Sequence, residues 1–165
     1  MTPTIDDLAD RLAVSDVVTT YFQAMDRHDW DGIRTLIASK MTLNAGGLAS
    51  APTPQSRDDF MDELIARNAP FALSGCGSFH ANPGHLVSIS GDHATVTAHM
   101  IAGHWVGPAD ADFSMGYGMY ELDLVREGGA WKLSGLAMEI KRLIGEPPGE
   151  IMRRAAALQT TQAGR

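Results

Sequence analysis

Apolar and polar positions recur with two different periods along this chain, and the change falls near residue 78. Before it the period is helical. Thr4-Ile5-Asp6-Asp7 has the form of a capping box, a threonine followed three residues later by an acid. Leu8, Leu12, Ser15, Thr19, Phe22 and Asp26 then recur at spacings of three and four, which predicts one stripe of a helix. Val14, Val17, Val18, Tyr21 and Met25 widen its apolar face. Asp29-Trp30-Asp31 predicts a second short helix through Ile33, Leu36 and Ile37. Met41 to Asn44 reads as a short strand, and Gly46-Gly47 with Pro52 and Pro54 as a loop. Ser56-Arg57-Asp58-Asp59 repeats the capping pattern and opens a helix carrying Phe60, Leu64 and Ile65.

After residue 78 the period is two. Val87 and Ile89 alternate with Ser88 and Ser90, and Gly91-Asp92 turns the chain. Val96, Ala98, Met100, Ala102, His104 and Val106 share one face of the next strand. Phe113 to Val125 predicts a long strand, Glu127-Gly128-Gly129 a hairpin turn, and Trp131 to Ile140 another strand. Pro147-Pro148-Gly149 breaks the chain, with a short helix over Ile151 to Leu158 and fraying from Thr160 to Arg165. Helices first and an antiparallel meander after them mean an α+β fold. The expected form is a cone-shaped barrel, N-terminal helices on the concave side of a curved sheet that encloses a pocket. It spans residues 1–146, and 147–165 form a tail.

Composition narrows the partners. At 165 residues, 44% hydrophobic and 20% charged, the chain suits one domain with a real core. A net charge of -7 disfavours nucleic acid and anionic membrane. The single cysteine, Cys76, excludes a disulfide within the chain and reads as an inert, partly buried thiol. The acidic N-terminal stretch has no basic region followed by an apolar run, and no segment approaches the length of a membrane span. A cytoplasmic protein is expected.

Asp26 lies four residues after Phe22 on the apolar stripe. A carboxylate there either has a buried partner or sits exposed at a helix end. Counted straight, His80 falls opposite Val87 and Ile89; a bulge at Pro83-Gly84 would bring all three to one face. His104 closes an apolar strand face, and His99 points the other way. His85 and His93 have no partner that the sequence names. Five histidines between 80 and 104 invite a metal reading, but HExxH is absent and the pairs His80/His85 and His99/His104 fall on opposite faces of an unbroken strand. No metal is expected. Phe22, Met25, Met100, Met115, Met119 and Met138 read as core, with methionine also suited to a wall against bulky apolar ligands. Gly116 and Gly118, flanking Tyr117, hint at close approach or bending.

Three motifs in order carry a resemblance: Tyr21-Phe22-Gln23-Ala24-Met25-Asp26-Arg27-His28-Asp29-Trp30-Asp31, then His80 eleven residues before Gly91-Asp92-His93-Ala94, then Gly129-Ala130-Trp131-Lys132-Leu133. From about Leu8 to Ile144 the chain resembles the SnoaL-like family of the nuclear-transport-factor-2-like superfamily, in its scytalone dehydratase and hexachlorocyclohexane dehydrochlorinase branch. The resemblance implies that Asp26 pairs with His80 as base, with His104 a second polar group in the pocket. Tyr21, Phe22, Met25, Met100 and Tyr120 are the expected substrate-binding residues. The implied activity is elimination, isomerisation or cyclisation of a hydrophobic ring substrate, without cofactor, in a homo-oligomer (dimer or trimer). Met25 and Ala45 stand where scytalone dehydratase has tyrosines that polarise its substrate, which argues against that particular dehydration. The carboxylate pattern of ketosteroid isomerases is not evident. The alternative is a non-catalytic ligand-binding or structural subunit of the same fold.

Overall fold

The computed structural model describes residues 4–44, 53–107 and 112–163. Thr4 caps the first helix, α1 (Ile5–Arg27): its hydroxyl accepts from the Asp7 amide at 3.1 Å, and the Asp7 carboxylate accepts from the Thr4 amide at 2.8 Å. α1 buries Val14, Val18, Tyr21, Phe22 and Met25. Leu8 and Leu12, expected on the core stripe, are 54% and 63% exposed. The buried line is the adjacent one through Val14 and Val18, and the stripe that carries Leu8 and Leu12 continues into Ser15 and Thr19, which border the 82–85 segment. α1 stops at His28, which enters the left-handed region at φ 56°. Asp29 then caps α2 (Trp30–Leu36) by accepting from the Gly32 amide at 2.9 Å. A Cβ at Gly32 would lie 2.3 Å from that carboxylate, so glycine belongs to the cap.

The second helix ends one residue earlier than expected. Ile37 is extended and fully buried, and β1 (Ile37–Asn44) starts there because Ile37 pairs with Leu133 on the sheet. Pro54, expected in a loop, lies in β2 (Thr53–Ser56), an edge strand, where a missing amide is tolerated. Ala45, Gly46, Gly47 and Pro52 lie outside the described residues. Ser56 caps α3 (Arg57–Asn68), and a 3-10 turn, Ala69–Ala72, follows.

β3 (Cys76–Ala81) and β4 (Leu86–Ser90) both pair with β5 (His93–Val106), one along each half of it. β6 (Phe113–Glu127) and β7 (Ala130–Gly145) continue the meander through a turn in which Gly128 and Gly129 both have positive φ. The order is β2-β1-β7-β6-β5-β3, with β4 also on β5. Only β1 and β7 run parallel among the pairs described, and the sheet is open. The class is α+β, with the first helices packed on one face of the sheet.

Two irregularities keep apolar residues on the inner face. Residues 82–85 leave the ladder, so His80 pairs with Ala102 and Val87 with Val96, an even separation on β5 that puts His80, Val87 and Ile89 on one face. β7 shifts register opposite Asp123 and Leu124, so that Leu133 and Leu136 both face inward. A second shift lies opposite Tyr117 and Gly118, where a Cβ would come within 1.9 Å of the Glu139 carbonyl oxygen. The Trp131 motif is structural: Trp131 is buried, its indole donates to Asp10 of α1 at 3.3 Å, and Arg126 stacks on it at 4.4 Å while pairing with the same Asp10.

The C-terminal helix is longer than the sequence suggests. α4 (Pro148–Ala163) begins with Pro148, which suits a first helical turn, and runs past Thr160. Ile151 and Ala155 are buried against Phe71 and Val106 in a cluster separate from the main core. Among the described residues no helix is long and apolar enough to cross a membrane.

Candidate active site

Asp26 occupies the last turn of α1, and the left-handed stop at His28 turns the chain away just beyond it. Its carboxylate faces β3. There Ser78 and His80, two residues apart and so on one face, both reach it. One oxygen accepts from His80 Nδ1 at 2.7 Å and from the Ser78 hydroxyl at 3.2 Å; the other accepts from the His80 backbone amide at 2.8 Å. The side chains of His80 and Asp26 are 10% and 21% exposed. Burial pushes the Asp26 carboxyl up, but the hydrogen bonds from the His80 ring and amide, the His80 charge and Ser78 outweigh it and hold the group below the ordinary carboxylate value. An ionised carboxylate only accepts, so Nδ1 of His80 carries a proton, and whenever the ring is neutral its lone pair is on Nε2.

His80 lies against the Phe22 ring, centroids 5.9 Å apart, and the His104 ring meets it edge-on at 5.4 Å. Burial, reinforced by His80, pushes His104 down to about 4. It is therefore a neutral imidazole at physiological pH. These groups line a cavity of about 140 Å³ with Tyr21, Phe22, Met25, Phe60, Leu64, Tyr120, Met138 and Met152 among its walls. Met100 does not line it; this residue is packed in the core. Tyr120 is 1% exposed, packs 4.4 Å from Phe22, and its hydroxyl has no hydrogen-bond partner among the described residues. Burial pushes both the Tyr120 and Tyr21 phenols up, so both stay protonated.

The other histidines lie elsewhere. His93 and His99 are exposed. His85, which had no expected partner, meets the Ser15 hydroxyl at 2.6 Å and so ties the 82–85 segment to α1. Among the described residues no three His, Cys, Asp or Glu side chains are placed to hold a metal ion.

The SnoaL-like domain model matches residues 6–137, most of the chain. The chain belongs to the SnoaL-like family. No protein of curated function matches it in sequence. Among solved structures, it is similar to the Kfla4162 protein of Kribbella flavida at 24% identity, covering 88% of this chain and 98% of that one with a TM-score of 0.74. A scytalone dehydratase candidate from Novosphingobium aromaticivorans matches at 17% identity, with coverage of 86% and 90% and a TM-score of 0.71. A type 2 hexachlorocyclohexane dehydrochlorinase matches at 16% identity, with coverage of 88% and 98% and a TM-score of 0.69. At these identities the likeness speaks for the SnoaL-like fold alone.

Sequence reasoning missed several site residues. Ser78 could have been found from its i, i+2 relation to His80. Phe60, Leu64 and Asn68 form an i, i+4, i+8 stripe on α3, and that spacing was the available signal. Nothing local marks Met152, or the contact of Phe71 with His104 at 4.7 Å, because helix docking decides both.

Proposed function

We propose that Asp26 and His80 form an acid/base dyad acting on a small apolar ring substrate, in an elimination of dehydratase type, an isomerisation or a cyclisation, with no cofactor. The observation that carries this reading is the 2.7 Å hydrogen bond from His80 Nδ1 to Asp26, which leaves Nε2 as the free ring nitrogen of a side chain that lines the cavity. Nε2 takes a proton from a substrate carbon, and the C–H electron pair becomes the new π bond. In an elimination the leaving group departs with its own bonding pair; in an isomerisation the imidazolium returns the proton to a different carbon. Proton transfer to a positioned base such as His80 contributes about 10²–10⁴-fold in rate, and Asp26 holds its tautomer and stabilises the imidazolium. Neutral His104 serves as a hydrogen-bond donor to the departing or developing anion. Membership of the SnoaL-like family supports the reading, as do two structural neighbours that bear the names of elimination enzymes.

The test is proton abstraction. Cyclic ketones and halogenated cycloalkanes are incubated with the protein in D₂O, and deuterium uptake or halide release is followed. His80→Ala should abolish the reaction. A reaction that persists in His80→Ala overturns the proposal.

The outer face of the sheet favours an assembly role beside this one. Phe79, Trp105, Tyr117 and Ile144 are exposed there, and strand pairing joins them through Gly103, Phe113, Met115 and Ile101. We read this apolar face as the contact of a homo-oligomer, since patches of this kind mark interfaces. Tyr117→Glu should then shift the protein toward monomer in sedimentation. A wild-type chain that sediments as a 17.7 kDa monomer at micromolar concentration overturns this part.

A further inference from the structure

Met152 brings α4 into the wall of the cavity, and α4 lies beyond residue 137, where the match to the family model ends. The helix docks through Ile151 and Ala155 on Phe71 and Val106, and Arg154 ties it to Asp112. Phe71 packs against His104, so α4 closes the cavity on the side of that imidazole. The exposed lining residues, Glu63 and Arg67, pair at 2.6 Å on α3 and mark the mouth. With Met152 in place the cavity measures about 140 Å³. An apolar cavity of about 150 Å³ accommodates benzene, one six-membered ring. Two fused rings take up more volume than this, and Met152 is one of the side chains that bound the space.

We propose that Met152 sets the upper size of the ligand, so that the wild-type cavity takes a single six-membered ring and excludes a fused pair. The proposal names the substrate class for the dyad and rests on the reading that this cavity is the substrate site. Methionine suits the role: it is unbranched and apolar, and it fills irregular space without a polar group to satisfy.

Phenol and 2-naphthol are titrated into the full-length protein while the ring resonances of His80 and His104 are followed by NMR. The wild type should bind phenol, with both histidines shifting, and should bind 2-naphthol no more tightly despite its larger apolar area. Met152→Ala should tighten 2-naphthol by at least about tenfold and change phenol by less than about threefold, the scale of discrimination that pocket volume provides. Met152→Leu, which conserves volume, should behave as wild type. Met152→Trp should lose phenol binding while keeping its fold by circular dichroism. Tighter binding of 2-naphthol than phenol by the wild type overturns the proposal, and so does phenol binding that survives in folded Met152→Trp. Binding is read without turnover, which separates the two readings. The expected probe pattern with no proton abstraction removes the catalytic reading alone. Turnover of fused-ring substrates by the wild type removes the size limit alone.

Discussion

Asp26→Asn keeps the shape of the side chain but changes what it can accept. Three donors converge on the carboxylate: the His80 amide, the His80 ring at Nδ1 and the Ser78 hydroxyl. An asparagine offers one accepting oxygen and one NH₂. If the NH₂ faces the His80 backbone, two donors meet, and the backbone cannot change its role; an unpaired buried donor costs about 1–3 kcal/mol. If the NH₂ faces the ring, the imidazole can adapt by moving its proton to Nε2 and accepting at Nδ1. The second arrangement is therefore favoured, and it removes the Nε2 lone pair that the proposed proton abstraction requires. Stability should fall by about 1–3 kcal/mol at pH 7, the scale of a lost charge-assisted hydrogen bond. Because the folded Asp26 carboxyl lies below its unfolded value, its contribution is complete above the unfolded value and is lost as pH falls through the folded one. The variant should lack that part of the acid limb. Long-range proton–nitrogen correlation on ¹⁵N-histidine protein reads the tautomer directly, and urea unfolding reads the stability. In the wild type Nδ1 should be protonated, and in the variant Nε2. A His80 ring that keeps its proton on Nδ1 in Asp26→Asn would refute the reasoning, and any loss of turnover would then come from the missing charge beside the imidazolium rather than from the tautomer.

Further expectations follow from neighbouring groups. His104 lies at about 4 in the folded protein, below the ordinary histidine value near 6.5, so the unfolded chain takes up the proton first. Stability should be unaffected above that ordinary value and fall by up to about 3 kcal/mol as pH drops from 6.5 toward 4; His104→Asn should flatten this slope in denaturant titrations at several pH values, and an unchanged slope would count against it. Tyr120→Phe removes a buried hydroxyl that has no partner among the described residues, so its Tm should stay level or rise, with a gain of up to about 1 kcal/mol. A clear loss of stability would mean that the hydroxyl is satisfied. Gly118→Ala places a methyl against the Glu139 carbonyl at a backbone shift in β7, and should cost about 2 kcal/mol or more in urea unfolding; a loss under about 0.5 kcal/mol would show that the strand yields there.

Local chemistry determined a large part of this protein. Thr4 with Asp7, and Ser56 with Asp59, place helix starts because a capping residue bonds to amides within its own turn. The alternation in β5 and β6 marks the inner face because side chains of a strand alternate whatever it pairs with. The positions of Asp26 at the end of an apolar helix and of His80 before a Pro-Gly break were legible for the same reason. What each side chain meets was decided by the tertiary structure. Leu8 and Leu12 continue an apolar stripe, yet the sheet takes the neighbouring stripe through Val14 and Val18, and the sequence of one helix does not say which of two adjacent lines its partner will cover. Ile37 could extend a helix or begin a strand, and pairing with Leu133 chose the strand. The phase of His80 depended on how residues 82–85 leave the ladder, which only the register on β5 reveals. Met152 enters the cavity because α4 docks on Phe71 and Val106, more than forty residues away in the chain, and no local spacing encodes a contact of that range.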